Sequence, residues 1–245
     1  MAFKHGKSTT VLLGAKDLSP FLNAADFSVD VDTADTTVFG STWKSSLAGQ
    51  ASSKSDFAGL YDPTLTDLVT LIGVDAGPAG TVLTYAPAGA LAIGDLARLV
   101  SVAETGYAES SPVGGMVAAK YQVIGSGAVG AGQVLHVLGA DVNTTTGAEK
   151  DDAAATTAGW LAHLHVISLT GGGTWIVKLQ DAAVSNTYSD LTGGAFTSTG
   201  AATAQRLAGV AGATLRRYVR YVATRTGGSA GDSITFALAY SRNTS

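Results

Sequence analysis

Short apolar or alternating runs recur along the whole chain, separated by clusters of Gly, Asp, Asn, Ser and Thr. That is the pattern of a β-sandwich or barrel. It predicts strands over 9–14, 24–32, 50–60, 81–86, 97–104, 115–124 and 133–139, and later over 160–169, 174–180, 203–208, 214–224 and 232–241. One segment has the helical period instead. Leu65, Leu68, Val69 and Ile72 fall on one face, with Asp62 as cap, Pro63 at the first position and Gly73 at the end. This predicts a short helix over 63–72, which needs docking on a sheet to persist. The stretch 141–158 lacks any apolar period and is rich in small polar residues, so it reads as a linker or long loop. The chain thus divides into a β domain over 1–140 and a second β domain over 159–245. The expected class is all-β with one short helix.

Composition fits a folded chain. The 245 residues are 46% hydrophobic and only 14% charged, the reverse of the bias of disordered proteins. There is no cysteine, which excludes disulfides and thiolate metal sites. The N-terminal residues carry Lys4 and Lys7 without a following apolar stretch, which argues against a secretory signal. No run approaches the roughly 18 apolar residues of a membrane helix. The charge is uneven. Residues 1–150 hold 8 basic and 14 acidic side chains, and residues 151–245 hold 7 and 5. A domain built to grip DNA would be basic over one face, and this chain has no such bias.

Several fragments imitate chemical motifs but lack the required setting. Gly6-Lys7-Ser8-Thr9 ends like a phosphate-binding loop, yet Met1 stands where the first glycine belongs. Gly125-Ser126-Gly127-Ala128-Val129-Gly130 matches a dinucleotide fingerprint, but the apolar run 133–138 after it reads as a strand rather than a helix. Gly227-Gly228-Ser229-Ala230-Gly231 matches a nucleophile elbow and lies between two predicted strands, as a hairpin loop would. His163 and His165 alternate on one strand face as a two-ligand metal pair might, without a third ligand nearby in sequence; packing or surface roles fit them as well. Arg216, Tyr218 and Arg220 share a strand face, a basic and aromatic stripe that suits either nucleic acid or packing. No acid–base or nucleophile set survives, so no enzyme, cofactor or metal is expected.

The informative constellation is early. Asp26, Ser28, Asp30 and Asp32 alternate with Phe27, Val29 and Val31, which puts three carboxylates on one strand face, where they repel. A solvated outer face is the ordinary explanation. The chain continues with Asp35-Thr36-Thr37-Val38-Phe39-Gly40 and Trp43-Lys44, after an earlier Leu13-Gly14 and Asp17-Leu18-Ser19. Leu47-Ala48-Gly49, then Phe57, Gly59-Leu60-Tyr61-Asp62, and later Ser110-Ser111-Pro112-Val113-Gly114-Gly115 follow. In this order, and with a helix after Pro63, residues 8–140 resemble the major tail tube proteins of long-tailed, siphovirus-like bacteriophages.

The resemblance implies a tail-tube-type β-sandwich or barrel, with an additional C-terminal β-sandwich domain. It implies a structural virion protein of the tail, assembled in the host cytoplasm, that partners itself and other tail proteins. Rings would stack into a tube through which DNA passes without specific binding and without a membrane. A hexamer, or a trimer of two-domain chains, would close each ring. The loop over 33–53, including Asp35, Phe39, Gly40, Trp43 and Lys44, would reach the adjacent ring. DNA is densely anionic, so an acidic lumen would leave it free to move, and Asp26, Asp30 and Asp32 are expected to face the channel. The second domain could decorate the tube or be tube-like itself, and Trp160, Trp175 and Tyr188 could form a sugar-stacking surface. The competing reading is a virion-surface β-sandwich, such as a head decoration or a carbohydrate-binding module.

Overall fold

The computed structural model describes residues 6–40, 42–61 and 81–243. The protein is all-β. Its strands are β1 (Thr10–Leu13), β2 (Lys16–Asp17), β3 (Leu22–Asp35), β4 (Ser46–Leu60), β5 (Thr81–Ala86), β6 (Leu96–Ser110), β7 (Ala118–Gly125) and β8 (Gly130–Val142), followed by β9 (Thr145–Thr146), β10 (Lys150–Asp151), β11 (Leu161–Thr170), β12 (Thr174–Ala182), β13 (Ser189–Ala195), β14 (Thr203–Ala208), β15 (Tyr218–Thr226) and β16 (Ser233–Ser241). The helix expected over 63–72 lies outside the described residues.

The chain separates into two compact units, and the division differs from the expected cut at residue 140. The first unit holds residues 1–20, 81–101 and 129–245; the second holds 21–80 and 102–128. Pairing explains the difference. β16, near the C-terminus, pairs antiparallel with β8 from Ser233↔Val142 to Ser241↔Gly132. The run 141–158 is also no free linker. Thr145 and Thr146 pair with Ala223 and Val222 of β15, and Lys150 and Asp151 pair with Val219 and Tyr218. Asp152 then accepts hydrogen bonds from Tyr240 Oη at 2.6 Å, Arg242 Nη1 at 2.5 Å and Gln133 Nε2 at 2.5 Å. Backbone pairing and polar anchors hold this edge without burying apolar side chains, so it carries no hydrophobic period.

The first unit is layered. One sheet runs β14-β11-β16-β8-β6 and on through β5, β1 and β2, and it curls so that β14 meets β5 and β11 meets β2. A second sheet, β10-β15-β12-β13 with β9 beside β15, covers the other face of β11 and β16. Their shared core includes Trp160, Leu164, Trp175, Val177, Leu179, Tyr221, Phe236 and Leu238. β11 is therefore covered on both faces, and all six residues 161–166 are buried. That is why it reads as an almost continuous apolar run. Its two histidines face the curl of the first sheet. There Thr84 Oγ1 sits 3.2 Å from His163 Nδ1 and 2.8 Å from His165 Nε2, and His165 Nδ1 lies 2.8 Å from the Gly14 carbonyl oxygen.

Close approach within this unit demands glycine at position 132. A Cβ there would stand 2.5 Å from the Tyr240 carbonyl oxygen and 2.5 Å from Leu99 Cδ1. One contact is backbone, so β8 and β16 would have to part. Gly132→Ala is expected to cost about 1–3 kcal/mol, read as a lower urea midpoint with unchanged slope.

The second unit is a four-stranded antiparallel sheet in the order β3-β4-β7-β6, the last through its later half. One face is apolar, with Phe57, Ala119, Tyr121 and Val123 buried. Tyr107 stacks at a tilt on Tyr121, centroids 5.2 Å apart. The phenol of Tyr107 donates to Glu109 Oε1 at 2.6 Å.

Candidate functional site

The site is the β3–β4 hairpin and the polar face of the sheet that carries it. β3 and β4 stay paired from Leu22↔Gly59 out to Asp35↔Ser46. The predicted loop over 33–53 is thus mostly paired strand, and the connection proper is residues 36–45. Neither face of the arms beyond residue 28 is covered, and their residues from 28 to 35 and 46 to 52 are exposed. Val29 and Val31, on the face opposite the aspartates, are 52% and 49% exposed.

Local chemistry shapes the tip. Asp35 Oδ1 accepts the Thr37 backbone N–H at 2.8 Å. The Thr37 hydroxyl and N–H hold the Asp35 carboxyl below the usual range. The Thr36 hydroxyl donates to Ser45 Oγ at 2.9 Å, and the Ser45 N–H donates to Thr37 Oγ1 at 3.0 Å. Gly40 takes φ +91°, a left-handed value that glycine adopts without strain. Held this way, the tip exposes Val38, Phe39 and Trp43 at 69%, 109% and 85%. Lys44 is exposed beside them, and Leu47 is exposed on the outgoing arm. Clustered exposed apolar side chains of this size mark a contact surface.

The three aspartates lie where alternation put them, exposed on β3. Their face extends across the sheet. Asp26 pairs with Asp56, and Asp56 with Gln122, so these three side chains form one row. Lys54 Nζ lies 2.8 Å from Asp56 Oδ2, and Gln122 Nε2 donates to Asp56 Oδ1 at 2.9 Å. The Lys54 ammonium beside it holds the Asp56 carboxyl low. Asp30 pairs with Ser52. Asp32 sits at a bulge, where the register slips between Val31 and Thr33. The face is polar and mixed, with Asp26, Asp30, Asp32 and Asp56 outnumbering Lys54 and Lys120.

A strand edge completes the description. From residue 28 to 35, β3 has β4 as its one strand neighbour among the described residues. Such an edge presents backbone donors and acceptors to another chain.

The motif-like fragments resolve into structure. Gly6–Ser8 is a single 3-10 turn before β1. The 125–130 glycines connect β7 to β8, with Gly127 at φ +122°. The 227–231 loop joins β15 to β16, where buried Asp232 accepts the Ser229 N–H at 3.0 Å. No cluster of three metal-ligating groups occurs among the described residues, and His163 and His165 are buried. The arginine stripe is tied down internally. Arg216 Nη2 binds Asp181 Oδ1 at 2.5 Å and Arg217 binds Asp151 at 2.6 Å. Arg220 lies over the Tyr188 ring at 3.8 Å. The Arg217 guanidinium, with the Ala153 N–H, lowers the Asp151 carboxyl to about 2. Trp160 and Trp175 are core residues, each 1% exposed, so they form no sugar-stacking surface. No helix among the described residues is long and apolar enough to cross a membrane.

No family model and no curated protein matches the chain. Solved structures do match it in part. A chain of a native gene transfer agent virion is 18% identical with a TM-score of 0.42, covering 52% of this chain and 97% of that one. A chain of the sheath–tube complex of an extracellular contractile injection system, PVC, in the extended state is 16% identical with a TM-score of 0.42, covering 53% and 92%. The Dit protein of phage SPP1, described as a hub of the adsorption apparatus, is 11% identical with a TM-score of 0.33, covering 94% and 98%.

Proposed function

We propose that the chain is a tail-tube-type structural subunit that assembles with copies of itself into stacked rings. The observation that carries this reading is the β3–β4 hairpin, bare on both faces and tipped with Val38, Phe39 and Trp43. A monomer has no use for such an arm, and large exposed aromatics tend to anchor interfaces. In this reading the tip seats on the neighbouring ring, with Asp35 and Gly40 fixing its shape and Trp43 and Lys44 at the contact. The open edge of β3 supplies side-to-side pairing within a ring. The mixed but net acidic face bearing Asp26, Asp30 and Asp32 then lines the channel and gives DNA no run of cations to hold it.

Sedimentation velocity of the full chain over a wide concentration range tests the assembly. The expected result is growth from monomer to a discrete ring-sized species and then to longer polymers. A monomer that persists at every concentration would defeat the proposal.

A further inference from the structure

The first unit carries a cleft of about 570 Å³ between β13, the end of β14 and the turn before β15, within the ~300–1,000 Å³ of small-ligand sites. Its wall is mainly apolar, and the charged groups set into it are balanced. Asp181, 4% exposed, accepts the Arg216 N–H at 2.8 Å and Arg216 Nη2 at 2.5 Å. Arg216 Nη2 also donates to Ser189 Oγ and to the Asp181 carbonyl, and the rest of the guanidinium is partly exposed. Asp190, on the other side, is matched by Lys178 at 3.1 Å and Gln180 at 2.8 Å. The hydroxyls of Thr192 and Thr214 and the apolar Val210, 79% exposed, complete the lining. Behind them Trp160 is buried, and its indole Nε1 has no hydrogen-bond partner. A Cβ on the lining residue Gly209 would stand 2.4 Å from that nitrogen, so glycine lets the backbone pack directly on the indole.

With each carboxylate already matched by a cation, the cleft offers no net charge to an ionic ligand. It offers a few donors and acceptors set in a mainly apolar wall. We propose that it binds a neutral saccharide of one or two rings, with ring hydroxyls meeting Arg216, Thr192 and Thr214 and a C–H face against Val210. This inference does not depend on the assembly reading, because it concerns the other unit.

Saturation-transfer NMR of the full chain against glucose, galactose, N-acetylglucosamine, maltose, lactose and chitobiose tests it. At least one sugar is expected to give a saturable signal. Thr192→Trp and Thr214→Trp, both exposed and on different segments, should each weaken it tenfold or more while melting as the parent does; if one fails to fold, the other still reports. Glucose 6-phosphate should bind no tighter than glucose. Silence across the panel, signals that survive the cleft-filling variants, or a preference for the phosphorylated sugar would each overturn the proposal.

Discussion

Replacing both tip aromatics, Phe39→Asp with Trp43→Asp, is expected to abolish stacking while leaving the protein folded. The two side chains are fully or nearly fully exposed, so the isolated chain loses no packing. Surface changes of this kind shift stability by about 0.5 kcal/mol at most. In an interface, however, each aromatic anchor is worth about 2–4 kcal/mol, and buried aspartates would add desolvation cost. With both anchors lost, the critical concentration for polymer growth should therefore rise by roughly 700-fold or more at 1.4 kcal/mol per decade. Thermal melting and light scattering of parent and variant make the comparison. If hairpin tips join successive rings, single rings should persist in the variant. Polymerisation at the parent's concentration would mean that the tip makes no assembly contact.

The second large effect is acid sensitivity, arising in the other unit. His163 and His165 share the single hydroxyl of Thr84, and His163 Nε2 is buried without a partner. Burial lowers both imidazoles. His165 falls to about 4, and His163 falls well below its ordinary value, with His165 and the Arg206 cation of β14 adding to the effect. Protonated imidazole is thus disfavoured in the folded state and free to form in the unfolded chain. The unfolded state binds more protons between these values, so stability rises with pH there. It should be intact above about pH 6.5 and fall as pH drops from 6.5 towards 4, by on the order of 3 kcal/mol for His165. His136, also lowered by burial, faces Asp141 at 3.5 Å and contributes in the same direction. Urea titrations from pH 8 to 4 read the slope. The double variant H163Q/H165Q should flatten it even if stable to a lesser degree overall, and an unchanged slope would place the acid response elsewhere.

Much of the strand pattern is legible in the sequence. β5 and β14 occupy their predicted ranges, 81–86 and 203–208, because each is bounded by turn residues. What escapes notice is pairing that buries little. The outermost parts of β3 and β4, 33–35 and 46–49, carry no apolar alternation since water covers both faces, so they read as loop. β9 and β10 are two-residue pairings held by backbone and by Asp152, and β13 contains Gly193 and Gly194, which lower strand propensity. The domain boundary at 140 fails for a related reason. Periodicity reveals that β8, β11 and β16 are strands, but not that β16 lies between the other two, pairing with β8 across about 100 residues.

The site is divided in the same way. The exposure of Asp26, Asp30 and Asp32 follows from period-2 alternation, as does the shared face of His163 and His165. That alternation does not reveal that Asp56, Gln122, Lys54 and Lys120 join the aspartates, because the neighbours come from β4 and β7. Nor does it distinguish a buried histidine pair from a ligand pair. The arginine stripe on 216–220 also appears cationic in one dimension, and its carboxylate partners Asp181 and Asp151 appear only in three.

Electron microscopy of the purified full chain across a concentration series tests the central claim most directly. The account predicts rings and open-ended tubes with a continuous central channel, whose reconstruction puts Asp26, Asp30 and Asp32 on the inner wall and Phe39 and Trp43 between successive rings. Compact particles of single-chain size at the highest concentration, or tubes with those aspartates on the outside, would contradict it.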